Sequence, residues 1–259
     1  MSRLIDKLDK SKKATSHPMG FRATREDADE SRLFLIASIP VNVADKISEC
    51  VTGADAALLK ATGSSLSVKS VQEIVEAIPG VPVGISIKDI GKTKIDSYLQ
   101  SGGDFLVFSA ESPVDLTSQE EKIGKLLQID PSMEDSLVRI VNNLPVDAVI
   151  TTELFKNVEA ITWQQLMVIQ RLALLITKPV IIPVSAGISP GELQAIRDAD
   201  IDGILVEVDA AEPGKLEKIR QAIKKLPPKS TRKPEKSDVL LPRNSATESA
   251  IPDEEDDYE

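Results

Sequence analysis

Lys88, Asp130 and Glu207 are the residues whose types and spacing can do chemistry together. Each closes a short run of alternating character. In residues 82–88, Val83, Ile85 and Ile87 share one parity, and Gly84, Ser86 and Lys88 share the other. Leu127 and Ile129 alternate with Gln128 and Asp130, and Ile204, Val206 and Val208 flank Glu207. Side chains along a strand point to opposite faces in turn. If the apolar set meets a helix layer, Lys88, Gln128, Asp130 and Glu207 point the other way, from three separate strands. A lysine held beside carboxylates can have a shifted pKa and act as a general acid or base. The competing reading is structural: polar strand ends can simply be solvated, and a Lys–Asp pair can close one end of a sheet. Lys60, followed by Ala61-Thr-Gly-Ser-Ser65, and Ser86, Gln128 and Ser185 are polar groups able to hold a ligand.

The elements that must position these residues recur along the chain. Apolar, β-branched runs fall at residues 33–39, 56–60, 82–88, 105–108, 126–130, 148–151, 180–185 and 204–208. Near-continuous apolar runs of this length are typical of parallel strands buried on both faces. Helical patterns alternate with them: residues 67–78, 133–144, 163–176 and 216–226, one that starts at Ser189, and a weak one at 116–123. Ser189-Pro190-Gly191-Glu192 reads as an N-cap, a first-turn proline and an acidic residue near a helix start. Eight evenly spaced strands predict a (β/α)8 TIM-type barrel of parallel strands over residues 32–226. An open dinucleotide-binding sheet would show G-x-G-x-x-G after its first strand, and the chain continues instead Ser38-Ile-Pro-Val-Asn42. In such barrels the site lies at the C-terminal strand ends.

Composition narrows the function. The 259 residues carry a formal charge of −10, which disfavours nucleic-acid partners and anionic membrane surfaces. The single cysteine, Cys50, excludes an intramolecular disulfide and suits the cytoplasm. His17 is the one histidine, so a zinc site of the usual His/Cys type cannot be assembled, and no motif calls for a cofactor or a metal. No secretory signal is legible, and no apolar run approaches the ~18 residues of a membrane span. Residues 1–31 read as a polar arm, although Leu4, Ile5 and Leu8 have helical spacing. From Pro227 to Glu259 the prolines and the acidic ending predict a disordered acidic tail. The helix at 163–176 is apolar around more than one stripe, which points to a further packing element or a homo-oligomer.

Val81-Pro-Val-Gly-Ile-Ser-Ile-Lys-Asp-Ile90, followed by a helix and by Gly102-Gly-Asp-Phe-Leu-Val-Phe108, resembles the third and fourth strands of indole-3-glycerol-phosphate synthase. Ser185-Ala-Gly-Ile-Ser189 and Asp202-Gly-Ile-Leu-Val206 resemble strands 7 and 8 of the wider ribulose-phosphate-binding barrels. The resemblance implies an aldolase-type barrel, a general-acid role for Lys88, and a phosphate held by backbone amides near Ser185 and Gly187. The chain departs from that pattern at Ala37-Ser-Ile-Pro40, at Thr151-Thr-Glu-Leu154, and at Glu207-Val-Asp209, where a negative charge would repel a phosphate. The expected function is therefore a barrel that binds a small metabolite, phosphorylated or not, as a lyase or isomerase using Lys88. The alternative is a non-catalytic barrel with a binding or assembly role.

Overall fold

A computed structural model describes residues 2–15, 33–40, 47–60, 68–86, 95–114, 123–152, 160–208 and 214–227. Eight parallel strands close into a barrel in sequence order: β1 (Phe34–Pro40), β2 (Ala56–Lys60), β3 (Val83–Ser86), β4 (Phe105–Ser109), β5 (Gly124–Ile129), β6 (Ala148–Thr151), β7 (Val180–Val184) and β8 (Gly203–Glu207). β8 pairs back onto β1, so the expected closed barrel forms and an open sheet does not. The described helices are α1 (Arg3–Thr15), α2 (Ile47–Cys50), α3 (Val68–Ala77), α4 (Ile95–Gln100), α5 (Asp135–Ile140), α6 (Trp163–Leu175), α7 (Pro190–Asp198) and α8 (Lys215–Lys224). The helix expected at 116–123 lies outside the described residues apart from Ile123, as do His17 and residues 228–259 of the tail. The barrel and its helices belong to one compact unit that ends at Pro228.

The alternation along each strand separates two apolar layers. Leu35, Ala37, Leu59, Ile85, Leu106, Val149, Ile182 and Ile204 join the helices in the outer core. Phe34, Ile36, Leu58, Phe105, Val107, Leu126, Ile150, Ile181 and Leu205 fill the barrel itself. Both faces of every strand are thus buried, which is why the strands read as unbroken apolar runs. Each fully buried Leu or Ile contributes about 1.5–3 kcal/mol relative to exposure. On β3, Gly84 shows why one inward position must be small: a Cβ there would overlap the ring of Phe105.

The floor of the barrel repeats one device. Asp55, Asp104, Asp147 and Asp202 immediately precede β2, β4, β6 and β8. Their backbone N–H groups donate to Leu35, Val83, Lys125 and Val180 on the preceding odd strands. The carboxylates of Asp55, Asp147 and Asp202 accept in return from the N–H groups of Leu35, Lys125 and Val180 at 2.8–2.9 Å. Asp55 also receives the buried Arg220 of α8, whose Nε donates to Gly53 O. Asp55, Asp147 and Asp202 therefore satisfy donors at the strand starts that would otherwise go unpaired.

Asp104 uses the same position differently. Its carboxylate accepts from Ser2 Oγ (2.7 Å), Arg3 N (2.8 Å) and Leu4 N (3.0 Å), capping the start of α1. Leu4 and Leu8, fully buried, enter the inner core and seal the barrel floor. The leading residues therefore follow the helical spacing of Leu4, Ile5 and Leu8 through Thr15, and over that stretch they are a docked helix, not a free arm. The burial of two leucines and three charge-assisted hydrogen bonds offsets the entropy of ordering them.

Candidate mouth of the barrel

The inward row at the C-terminal side of the barrel is polar. Following the alternation, it is formed by Ser38, Lys60, Ser86, Ser109, Gln128 and Glu207 on six of the strands, and by Thr152 and Ser185 directly after β6 and β7. The parity expected for Ser86, Gln128 and Glu207 matches the observed layers: Ile85, Leu127, Ile129, Ile204, Val206 and Val208 all lie in the outer core. The apolar layers beneath and the α1 plug leave the C-terminal side as the polar end of the barrel.

The residues expected to work together are only partly brought together. Glu207 Oε1 lies 3.6 Å from Lys60 Nζ, with side-chain exposures of 70% and 38%. That pair joins β2 to β8 across the inward face of β1. Asp130 shares the inward parity of Gln128, yet its carboxylate accepts from Ser132 N (2.8 Å) and Ser132 Oγ (2.6 Å) in the loop after β5. Those bonds hold its pKa below the ordinary carboxylate value and commit it to the turn, so it stands as a loop-forming group on the exposed rim. Lys88 lies outside the described residues. The space in front of Gly84 is taken by the Phe105 ring and offers no room for a ligand there. Ser185 is exposed, and its Oγ accepts from Gly187 N at 3.2 Å, which makes a compact turn.

Sequence reasoning missed Ser38. It is 1% exposed, and among the described residues its Oγ has no hydrogen-bond partner. The signal was present in the alternation Phe34, Ile36, Ser38. β1 pairs Ser38 with Leu58 on one side and with Glu207 on the other. The Lys60–Glu207 pair therefore crosses the row that Ser38 belongs to. A buried hydroxyl without a partner is uncommon, because desolvating it costs about 1–3 kcal/mol.

The loop after β7 is closed internally. Glu192 at the start of α7 accepts from Ser189 N (2.8 Å), Ser189 Oγ (2.6 Å) and Ile161 N (2.6 Å), while Ser189 Oγ accepts from Glu192 N (3.3 Å). This is the capping box that Ser189-Pro190-Gly191-Glu192 predicts. Burial raises the Glu192 pKa, but the bonds from Ser189 and Ile161 outweigh it and hold it below the ordinary value. Among the described residues no three His, Cys, Asp or Glu side chains group as metal ligands, and no helix is long and apolar enough to cross a membrane.

No protein-family model and no curated protein matches the chain. Solved structures do. A mutant tryptophan synthase alpha-subunit from the hyperthermophile Pyrococcus furiosus is 14% identical over 74% of this chain and 97% of its own, with a TM-score of 0.58. Ligand-free tryptophan synthase from M. tuberculosis, bearing a TrpA mutation, is 14% identical over 86% of this chain and 98% of its own, with a TM-score of 0.59. At such identities the likeness establishes the fold alone, a closed (β/α)8 barrel.

Proposed function

We propose that the C-terminal mouth of the barrel binds a small polar metabolite, and that the protein is a lyase or isomerase in which Lys88 acts as acid–base. One observation carries the proposal. Six strands carry a polar residue in the inward row at the C-terminal end of an otherwise apolar barrel, and Thr152 and Ser185 follow the other two directly, on the face where this scaffold places its chemistry.

The test is direct. The full chain is incubated with trioses, pentoses and hexoses, as aldoses and ketoses, with and without phosphate, and products are followed by proton NMR. Turnover that falls about 10²-fold or more in a folded Lys88→Met variant supports the acid–base role. Ligand binding at the mouth without any turnover supports the second reading, a non-catalytic barrel. The engagement of Asp130 with Ser132 and of Glu207 with Lys60 favours that alternative, because both carboxylates expected beside Lys88 have other partners.

A further inference from the structure

We propose that Ser38, Lys60 and Glu207 form a subsite for a hydroxyl group of an unphosphorylated, polyhydroxylated metabolite. The inference rests on the mouth being a ligand site and adds the chemical class of the ligand.

Three features point to hydroxyl recognition. Lys60 Nζ and Glu207 Oε1 stand 3.6 Å apart, beyond the usual length of a charge-assisted N–H···O bond. A hydroxyl entering between them accepts from the ammonium and donates to the carboxylate, so both charges gain a shorter partner than they have now. The pair is also exposed, and exposed pairs are weak and easily opened. Ser38 on β1 is the register partner of Glu207, and its buried Oγ has no partner among the described residues, so a ligand hydroxyl that reaches it adds a full hydrogen bond. The neighbouring inward positions, Ser86, Ser109 and Gln128, offer further hydroxyl and amide groups that match additional ligand hydroxyls.

The same surfaces disfavour a phosphoryl group. This scaffold commonly holds phosphate beside the loops after its seventh and eighth strands. Here the first turn of α7 is already occupied by the Glu192 carboxylate, which takes Ser189 N and Ile161 N. The inward end of β8 is Glu207, a second negative charge facing the mouth. Among the described residues of this row the cation is Lys60, and it is paired to that carboxylate.

The experiment titrates the isotope-labelled full chain with D-ribose, D-ribose 5-phosphate and inorganic phosphate, following backbone amide shifts. D-ribose is expected to move the amides of Ser38, Lys60 and Glu207 saturably, and D-ribose 5-phosphate to bind at least about tenfold more weakly. Ser38→Ala and Glu207→Gln should each weaken D-ribose by about tenfold, the effect of losing one hydrogen bond to a desolvated or charged partner. Glu207 is exposed, so its variant serves even where Ser38→Ala unfolds the chain. Tighter binding of D-ribose 5-phosphate or phosphate at these amides overturns the inference and leaves the mouth as a ligand site. Shifts confined to Gln128 and Ser185 overturn the subsite alone. No saturable shift at any mouth amide, with any of the three probes, overturns both readings.

Discussion

The ring of Phe105 on β4 occupies the volume in which a side chain on Gly84 of β3 would sit. The two are register partners, and Phe105 is fully buried. Gly84→Ala is therefore expected to destabilise the barrel by about 1–3 kcal/mol or more, as overpacking does. Phe105→Leu alone should also destabilise, by leaving a cavity. Combined with Gly84→Ala it should cost less than the sum of the two, because the residues share one space. Urea unfolding of the four proteins measures this, and strict additivity would show that the ring relocates freely.

Asp104 holds the barrel plug. Asp104→Ala leaves Ser2, Arg3 N and Leu4 N without their acceptor. A loss of about 1–2 kcal/mol is expected from the cap alone. Hydrogen exchange should find the amides of α1 opening well before those of β4 and β5. Unchanged protection of α1 would mean that Leu4 and Leu8 suffice to hold it.

Glu192 should make stability fall in acid. Its folded-state pKa is held below its ordinary value by Ser189 and Ile161. A depressed carboxylate contributes stability that is present above the unfolded pKa and is lost as pH falls through the folded one. Glu192→Gln is expected to be less stable than the parent by about 1 kcal/mol at pH 7, the usual worth of an N-terminal cap. The gap should close below the ordinary glutamate range near pH ~4. Thermal melts of both proteins from neutral pH downward check the sign, and a gap that widens in acid contradicts it.

The outer side of α6 should be open to solvent. Trp163, Met167 and Leu174 are 82%, 71% and 75% exposed, and Leu137 and Ile140 of α5 are exposed nearby. Trp163 is the one tryptophan, so its fluorescence reports this face alone. Acrylamide is expected to quench it readily. Leu174→Lys should change stability by no more than ~0.5 kcal/mol, whereas Leu172→Ala, fully buried on the other side, should cost about 2–5 kcal/mol. A shielded Trp163, with sedimentation above the monomer, would show that a second subunit covers the helix, as its wide apolar surface suggests from sequence.

The sequence by itself determined the barrel and the inward parity of its polar strand ends. Strands buried on both faces need unbroken apolar runs, the runs recur at even spacing, and parity is a local property that survives into the fold, as Ser86, Gln128 and Glu207 illustrate. The α7 capping box was equally legible, because its partners lie three residues apart. Tertiary structure alone decided which groups meet. Lys60 and Glu207 are distant in the chain and become partners only because closure pairs β8 with β1, one strand away from β2. Asp130 turns to Ser132 because a local hydrogen bond satisfies its carboxylate before the mouth can use it. Ser2 and Asp104 are 102 residues apart, and the conversion of a polar leading segment into a plug depended on that long-range cap and on two leucines finding the barrel floor. The alternation Phe34, Ile36, Ser38 gave the parity of Ser38, but the isolation of its buried hydroxyl is set by strands contributed from both ends of the chain.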